Sequence, residues 1–269
     1  MTVFLIIAIT AVLLCGLYLF SVLPGDSTKA LRFKNAKFAH RGLHSCSAPE
    51  NSLKAFSEAV EASYGIELDV RLAADGKLVV FHDKNTKRMC GVDLLVSEST
   101  YDQLSDLRLL ESEQRIPLLS EVLELVGGKV PLLVEIKCSA SAKRTCTALK
   151  ALLDDYGGDY CIESFNPLAL AYFRKHSPDT VRGQLASTFF KEERTVKGIA
   201  KTASALFVTN ALSRPHFIAY NHKCMNTVPV KLCRKFGALV FAWTVIGEDT
   251  VIDGADAIIF EKHSNLSSK

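Results

Sequence analysis

Residues 65–83 read Gly-Ile-Glu-Leu-Asp-Val-Arg-Leu-Ala-Ala-Asp-Gly-Lys-Leu-Val-Val-Phe-His-Asp. In the first half, Ile66, Leu68 and Val70 alternate with Glu67, Asp69 and Arg71, the period of two that gives a β-strand two chemically different faces. One face is apolar and the other carries two carboxylates. Side chains two apart on a strand stand on the same side, roughly 7 Å apart, so Glu67 and Asp69 can both approach one divalent cation. Asp75-Gly76 is a two-residue hairpin signal, because such a turn suits positive φ at both positions. Counting outward from it pairs Ala74 with Lys77 and Asp69 with His82, which predicts a histidine directly across from a metal-type carboxylate.

Working upstream, a short strand from Lys37 ends in His40-Arg41-Gly42, and Pro49-Glu50-Asn51-Ser52 precedes a helix with Leu53, Phe56 and Val60 on one face. Asn51 or Ser52 caps that helix, so residues 37–71 form a βαβ unit. Downstream, residues 84–120 are longer than a barrel connection needs. They predict an insertion over the mouth of the fold, with a helix at 99–110. Ile116-Pro117-Leu118-Leu119 leads into a helix at 120–126. In the strand at 132–138, Leu132, Val134 and Ile136 back Glu135 and Lys137, repeating the earlier pattern. The alternation then continues with helix 141–156, strand 160–165, helix 167–176, strand 181–186, helix 190–201, strand 205–209, helix 227–236 and strands 238–245 and 257–260. Eight strands alternating with helices imply a parallel sheet closed as a (β/α)₈ TIM barrel. The insertion follows the second strand, and the last barrel helix is trimmed to a turn or two near 248–253.

With 269 residues, 48% of them hydrophobic, the chain suits one large domain. A net charge of +3 without a basic stripe argues against nucleic acid as a partner. Residues 1–23 hold no charge and are long enough to cross a bilayer. A signal peptide fits less well, since no Lys or Arg precedes the run and no small-residue cleavage site follows. Lys29, Arg32, Lys34 and Lys37 flank its end, which places the catalytic domain on the cytoplasmic side of a single-pass anchor. The expected organisation is an anchor at 1–23, a linker at 24–36, a barrel at 37–263 with the insertion at about 84–115, and a tail at 264–269. Seven cysteines follow the anchor without CxxC spacing, which suits reduced thiols rather than disulfides or a zinc site. The sequence leaves the oligomeric state open.

Strand C-termini of such a barrel share one rim. On it fall His40, Arg41, Glu50, Glu67, Asp69, His82, Glu135 and Lys137. Three carboxylates from neighbouring strands make an all-oxygen site suited to Mg²⁺ or Ca²⁺. Two histidines beside such a cation suit phosphodiester cleavage: one takes the proton from the attacking hydroxyl and the other protonates the departing alkoxide. Arg41 and Lys137 would offset charge on the phosphoryl oxygens.

His40-Arg41-Gly42, Pro49-Glu50-Asn51-Ser52, Glu67-Leu68-Asp69-Val70, Asp75-Gly76 through His82-Asp83, Ile116 to Leu119, Glu135-Ile136-Lys137, Ser164-Phe165 and Ala242-Trp243-Thr244-Val245 together resemble the ordered motifs of the glycerophosphodiester phosphodiesterase family. The resemblance spans nearly all of 37–261. It implies a TIM barrel that hydrolyses glycerophosphodiesters, or lysophospholipids, to glycerol 3-phosphate, or lysophosphatidic acid, and an alcohol. By position, it implies His40 and His82 as the acid/base pair and Glu67, Asp69 and Glu135 on the metal. Arg41 and Lys137 would lie on the phosphate, Glu50 beside metal and substrate, and Trp243 in the substrate pocket. The chain departs from the family pattern at Ile246 and at Phe260-Glu261-Lys262-His263. Two other readings stand beside hydrolysis: a non-catalytic barrel that binds phospholipid head groups, and a phosphoinositide-type lyase that forms a cyclic phosphate.

Overall fold

The computed structural model describes residues 1–138, 142–187 and 205–262. Its strands are β1 (Lys37–Ala39), β2 (Gly65–Leu72), β3 (Leu78–Val80), β4 (Leu132–Ile136), β5 (Tyr160–Ser164), β6 (Val181–Ala186), β7 (Phe217–Asn221), β8 (Leu239–Ile246) and β9 (Ala257–Glu261). Eight of them run parallel in the order β1, β2, β4, β5, β6, β7, β8, β9. The β9 to β1 pairing then closes the barrel, while β3 folds back antiparallel on β2. The helices are α1 (Thr2–Val22), α2 (Leu53–Glu61), α3 (Lys87–Cys90), α4 (Tyr101–Ser105), α5 (Leu119–Val126), α6 (Ala142–Asp154), α7 (Pro167–His176), α8 (Asn210–Ser213) and α9 (Val228–Lys235). The trimmed last helix expected near 248–253 is reduced further: no helix joins β8 to β9, where turns at Gly247–Thr250 and Ile252–Ala255 suffice.

The strand alternation sorts residues into two layers. Ile66, Leu68, Val70, Leu132, Val134 and Ile162 face outward and pack with Phe56, Val122, Leu149 and Phe173 of α2, α5, α6 and α7. The opposite parity faces the barrel axis, and its lower half is apolar: Phe38, Leu133, Cys161, Val181, Phe217 and Phe241. Phe217 stacks on Phe241 at 4.0 Å between centroids. Gly183 makes that stack possible, since a Cβ there would run into the Phe217 ring. Ala30 and Phe33, from a 3₁₀ turn at Ser27–Phe33, complete the floor. Charged residues are thereby left to the other end of the barrel, where the strands terminate.

Three expectations are corrected. Residues 205–209 are not a strand, and the sixth barrel strand is β7, after Pro215. A short apolar run does not by itself distinguish strand from turn. Here Phe207 adopts φ +57° and its carbonyl accepts from Asn210 N–H, which ends any extension. The helix expected at 99–110 is confined to α4, with Thr100 and Gln103 closing a capping box. Leu110 then turns at φ +53°. The hairpin register is also off by one: Val70 faces Val80, and the Phe81 N–H donates to the Asp69 carbonyl at 2.9 Å. The turn holds three residues, closed by Ala73 N–H on the Lys77 carbonyl, with Gly76 at φ +85°, the bulged alternative to a two-residue turn. The helix expected at 190–201 lies outside the described residues.

Residues 84–116 contribute a separate apolar cluster in which Met89, Val96, Leu104, Leu109 and Ile116 pack on Val79 and Phe81. Most of α1 is exposed and apolar, and it is long enough to cross a membrane. Its last turn is not free. Val22 and Tyr18 pack with Ile218, Tyr220, Val230 and Cys233, and the Arg214 guanidinium donates to the carbonyls of Phe20 and Leu23 at 2.7 and 2.9 Å.

Candidate active site

The parallel register builds the centre directly. Asp69 on β2 lies beside Glu135 on β4, and Glu135 beside Glu163 on β5, so three inward carboxylates occupy one layer. Ligand oxygens of Glu67, Asp69 and Glu135 lie within 4.8 Å of one another, and all three residues are buried. Asn51, held at φ +58°, donates from Nδ2 to Asp69 Oδ2 at 2.8 Å and accepts the Asp69 N–H on its Oδ1. This fixes the carboxylate.

Two cations reach the cluster. Lys137 Nζ is 2.7 Å from Glu135 Oε1 and 3.3 Å from Asp69 Oδ1. Arg41 Nε is 3.4 Å from Asp69 Oδ2, and its Nη1 donates to Glu50 at 2.8 Å. Burial would raise the Asp69 pKa, but Lys137, His82, Arg41 and the Asn51 hydrogen bond hold it well below the usual range. The Phe81 N–H on the Asp69 carbonyl sets His82 one residue past the point facing Asp69. Glu67 behaves in the opposite way. Burial, and after it the like charges of Asp69, Glu135 and Glu163, push it well up. Glu163 is also raised by burial and by Glu135, and its Oε2 has no hydrogen-bond partner among the described residues. Crowded buried carboxylates with all-oxygen donors fit a hard divalent cation, which relieves their mutual repulsion.

Both histidines stand against carboxylates. His40 Nδ1 is 2.7 Å from Glu261 Oε1, and its Nε2 is 3.9 Å from Glu67 Oε2. Burial lowers the His40 pKa, although Glu261 opposes the shift. His82 Nδ1 is 2.7 Å from Asp83 Oδ1. Arg88, on α3, donates to Asp83 Oδ2 at 2.6 Å and to both oxygens of Glu50, tying residues 84–116 to the centre. Arg71 holds the His82 carbonyl through Nε at 2.8 Å. Trp243 lies on β8 and meets Phe165 edge to face at 6.0 Å.

Every site residue expected from the sequence therefore lies in the half of the barrel where the strands end. The nearest additions are Asn51, Asp83, Arg88, Glu163 and Glu261. Asn51 and Asp83 stand inside the motifs already quoted. Glu163 was detectable as the next inward position after Cys161, whereas nothing local marks Arg88 or Glu261.

The profile of the glycerophosphoryl diester phosphodiesterase family matches residues 40–260. The chain belongs to that family. A glycerophosphodiester phosphodiesterase of Caldanaerobacter subterraneus subsp. tengcongensis is 30% identical over 252 residues, covering 87% of this chain and 96% of the relative. A human lysophospholipase D is 34% identical over 122 residues, 40% of this chain and 38% of that one. Among solved structures, a Thermotoga maritima glycerophosphodiester phosphodiesterase superposes with TM-score 0.63 at 26% identity, covering 84% and 94% of the two chains. An Oleispira antarctica phosphodiesterase in complex with sn-glycerol-3-phosphate gives TM-score 0.71 at 24% identity, covering 86% and 94%, and shows the shared barrel. The carboxylates and histidines described above thus lie within the family-matched segment, save Glu261 just past its end.

Proposed function

We propose that this protein hydrolyses glycerophosphodiesters to glycerol 3-phosphate and an alcohol, using His40 and His82 as the acid/base pair. The observation that carries the reading is the pairing of two imidazoles, each held at Nδ1 by a carboxylate at 2.7 Å, with one buried cluster of carboxylates. In this scheme one imidazole takes a proton from water as its oxygen attacks phosphorus. The other gives a proton to the alkoxide as the P–O bond to the alcohol breaks. Arg41 and Lys137 offset charge on the phosphoryl oxygens, Glu50 orients Arg41 and Arg88, and Trp243 walls the substrate pocket. Glu67, Asp69 and Glu135 would hold Mg²⁺ or Ca²⁺, which when bound supplies further positive charge against the phosphoryl group.

A lysophospholipid substrate, giving lysophosphatidic acid, is a second reading of the same site. It is supported by the partial match to a lysophospholipase D and by α1. We further propose that residues 1–23 are a retained single-pass anchor with the barrel on the cytoplasmic side. The packing of Val22 and the hold of Arg214 on the end of α1 support retention. The experiment is a panel of glycerophosphocholine, lysophosphatidylcholine and glycerophosphoinositol with full-length protein in detergent, with and without chelator. Release of glycerol 3-phosphate or lysophosphatidic acid, abolished by chelator, is expected. A cyclic phosphate as first product in the phosphorus NMR spectrum would favour a lyase, and head-group binding without turnover a non-catalytic barrel.

A further inference from the structure

We propose that Glu261, the last residue of β9, is the positioning residue for His40: it fixes the imidazole as the Nδ1–H tautomer and aims Nε2 at the carboxylate cluster. The inference rests on the reading of His40 as an acid/base group, and it gives a role to a segment in which the chain departs from its family's pattern.

The geometry is set by barrel closure. β1 and β9 pair in parallel, Ala39 beside Phe260, and the His40 N–H donates to the Phe260 carbonyl at 2.8 Å. His40 and Glu261 are the next residue on each strand, so their side chains emerge together. The Glu261 backbone is held from the other side as well, paired with Ile246 of β8 and accepting the Gly247 N–H at 2.8 Å. The carboxylate therefore stands on a fixed support. The hydrogen bond to His40 keeps it below its ordinary pKa, and an ionised carboxylate can only accept. At 2.7 Å from Nδ1, it must take that nitrogen's proton in the hydrogen bond. The Nε2 lone pair is then left facing Glu67, 3.9 Å away. His44 also approaches Glu261, at 4.0 Å, too far to compete for the same bond.

Asp83 holds His82 in the same way, but the two carboxylates differ in their own support. Asp83 is clamped by Arg88, whereas Glu261 meets no Arg or Lys side chain within salt-bridge distance among the described residues. Its side chain is one-third exposed, so it is open to substitution without opening a cavity in the core.

The test uses full-length protein in detergent with Mg²⁺ and glycerophosphocholine. Glu261→Ala should lower kcat by ~10–100-fold, the range for partners that orient a functional imidazole, with KM within about threefold. Glu261→Gln, which keeps an acceptor oxygen, should retain more activity than Glu261→Ala. Long-range ¹H–¹⁵N spectra, with the His40 signals identified by their loss in His40→Ala, should show the Nδ1–H tautomer in the wild type and a tautomer mixture in Glu261→Ala. Wild-type kcat in Glu261→Ala, or a wild-type His40 found as the Nε2–H tautomer, overturns the proposal. The nitrogen spectra need no turnover. They decide the role of Glu261 even if the wild type is inactive on the whole panel, which would instead defeat the hydrolytic reading.

Discussion

From β9 through β1, β2 and β4 to β5, the positions around the barrel mouth carry Glu261, His40, Glu67, Asp69, Glu135 and Glu163. On the remaining arc, β6 to β8, the inward positions include Leu185 and Ala219, with Asn221 beside a half-buried Trp243 above them. One arc is dense in fixed charge and hydrogen bonds; the other carries no charged inward strand residue among those described and is mostly hydrocarbon. The difference follows from what each has to meet. Charge that builds up on a phosphoryl group is stabilised best by groups already oriented toward it, and orientation in a buried site comes from hydrogen-bond partners. Asn51, Asp83 and Arg88 are such partners. An alcohol leaving group has no fixed charge pattern, and an apolar wall accepts several of them. The two arcs should therefore separate in kinetics, with the charged arc governing kcat and metal affinity and the apolar arc governing KM.

The largest effect tests the charged arc. His82→Ala and His40→Ala should each lower kcat by ~10²–10⁴-fold in an assay of glycerol 3-phosphate release. Retained activity in either would remove that residue from its role. Next, Asn51→Ala releases the Asp69 carboxylate and should weaken Mg²⁺ or Ca²⁺ binding by ~10–100-fold by calorimetry, without changing the far-ultraviolet circular dichroism. On the apolar arc, Trp243→Ala should raise KM on the order of tenfold, equivalent to about 1.4 kcal/mol, with kcat within about threefold. A collapse of kcat instead would erase the distinction between the arcs. The smallest change is expected at Arg214→Ala. It removes two hydrogen bonds to the end of α1 and should lower thermal stability by about 1–3 kcal/mol, leaving kcat and KM as they are.

Legibility followed the same division. Strict alternation in residues 65–71 and 132–137 placed Glu67, Asp69 and Glu135 on the inner face, because parity alone decides a strand's sides. Parity does not fix register across a turn. Asp75-Gly76 serves both a two-residue and a three-residue turn, and the extra contact from Asp75 to the Tyr101 N–H at 3.1 Å belongs to the tertiary structure. On the apolar arc the inward and outward faces of β7 are both greasy, so Phe217 to Asn221 show no alternation to distinguish them from residues 205–209. Glu163 carried no motif, and Glu261 has a meaning only once β9 meets β1.

That meeting sets a schedule for the chain as it is made. His40 and Glu261 are separated by 221 residues, and synthesis proceeds at ~5–20 residues per second, so the interval between their appearances is on the order of ten to forty seconds. During that interval both histidines and all the cluster carboxylates come to exist, yet the first histidine has no partner. A nascent or C-terminally clipped chain would carry the chemistry in its composition and lack the orientation that puts it to use.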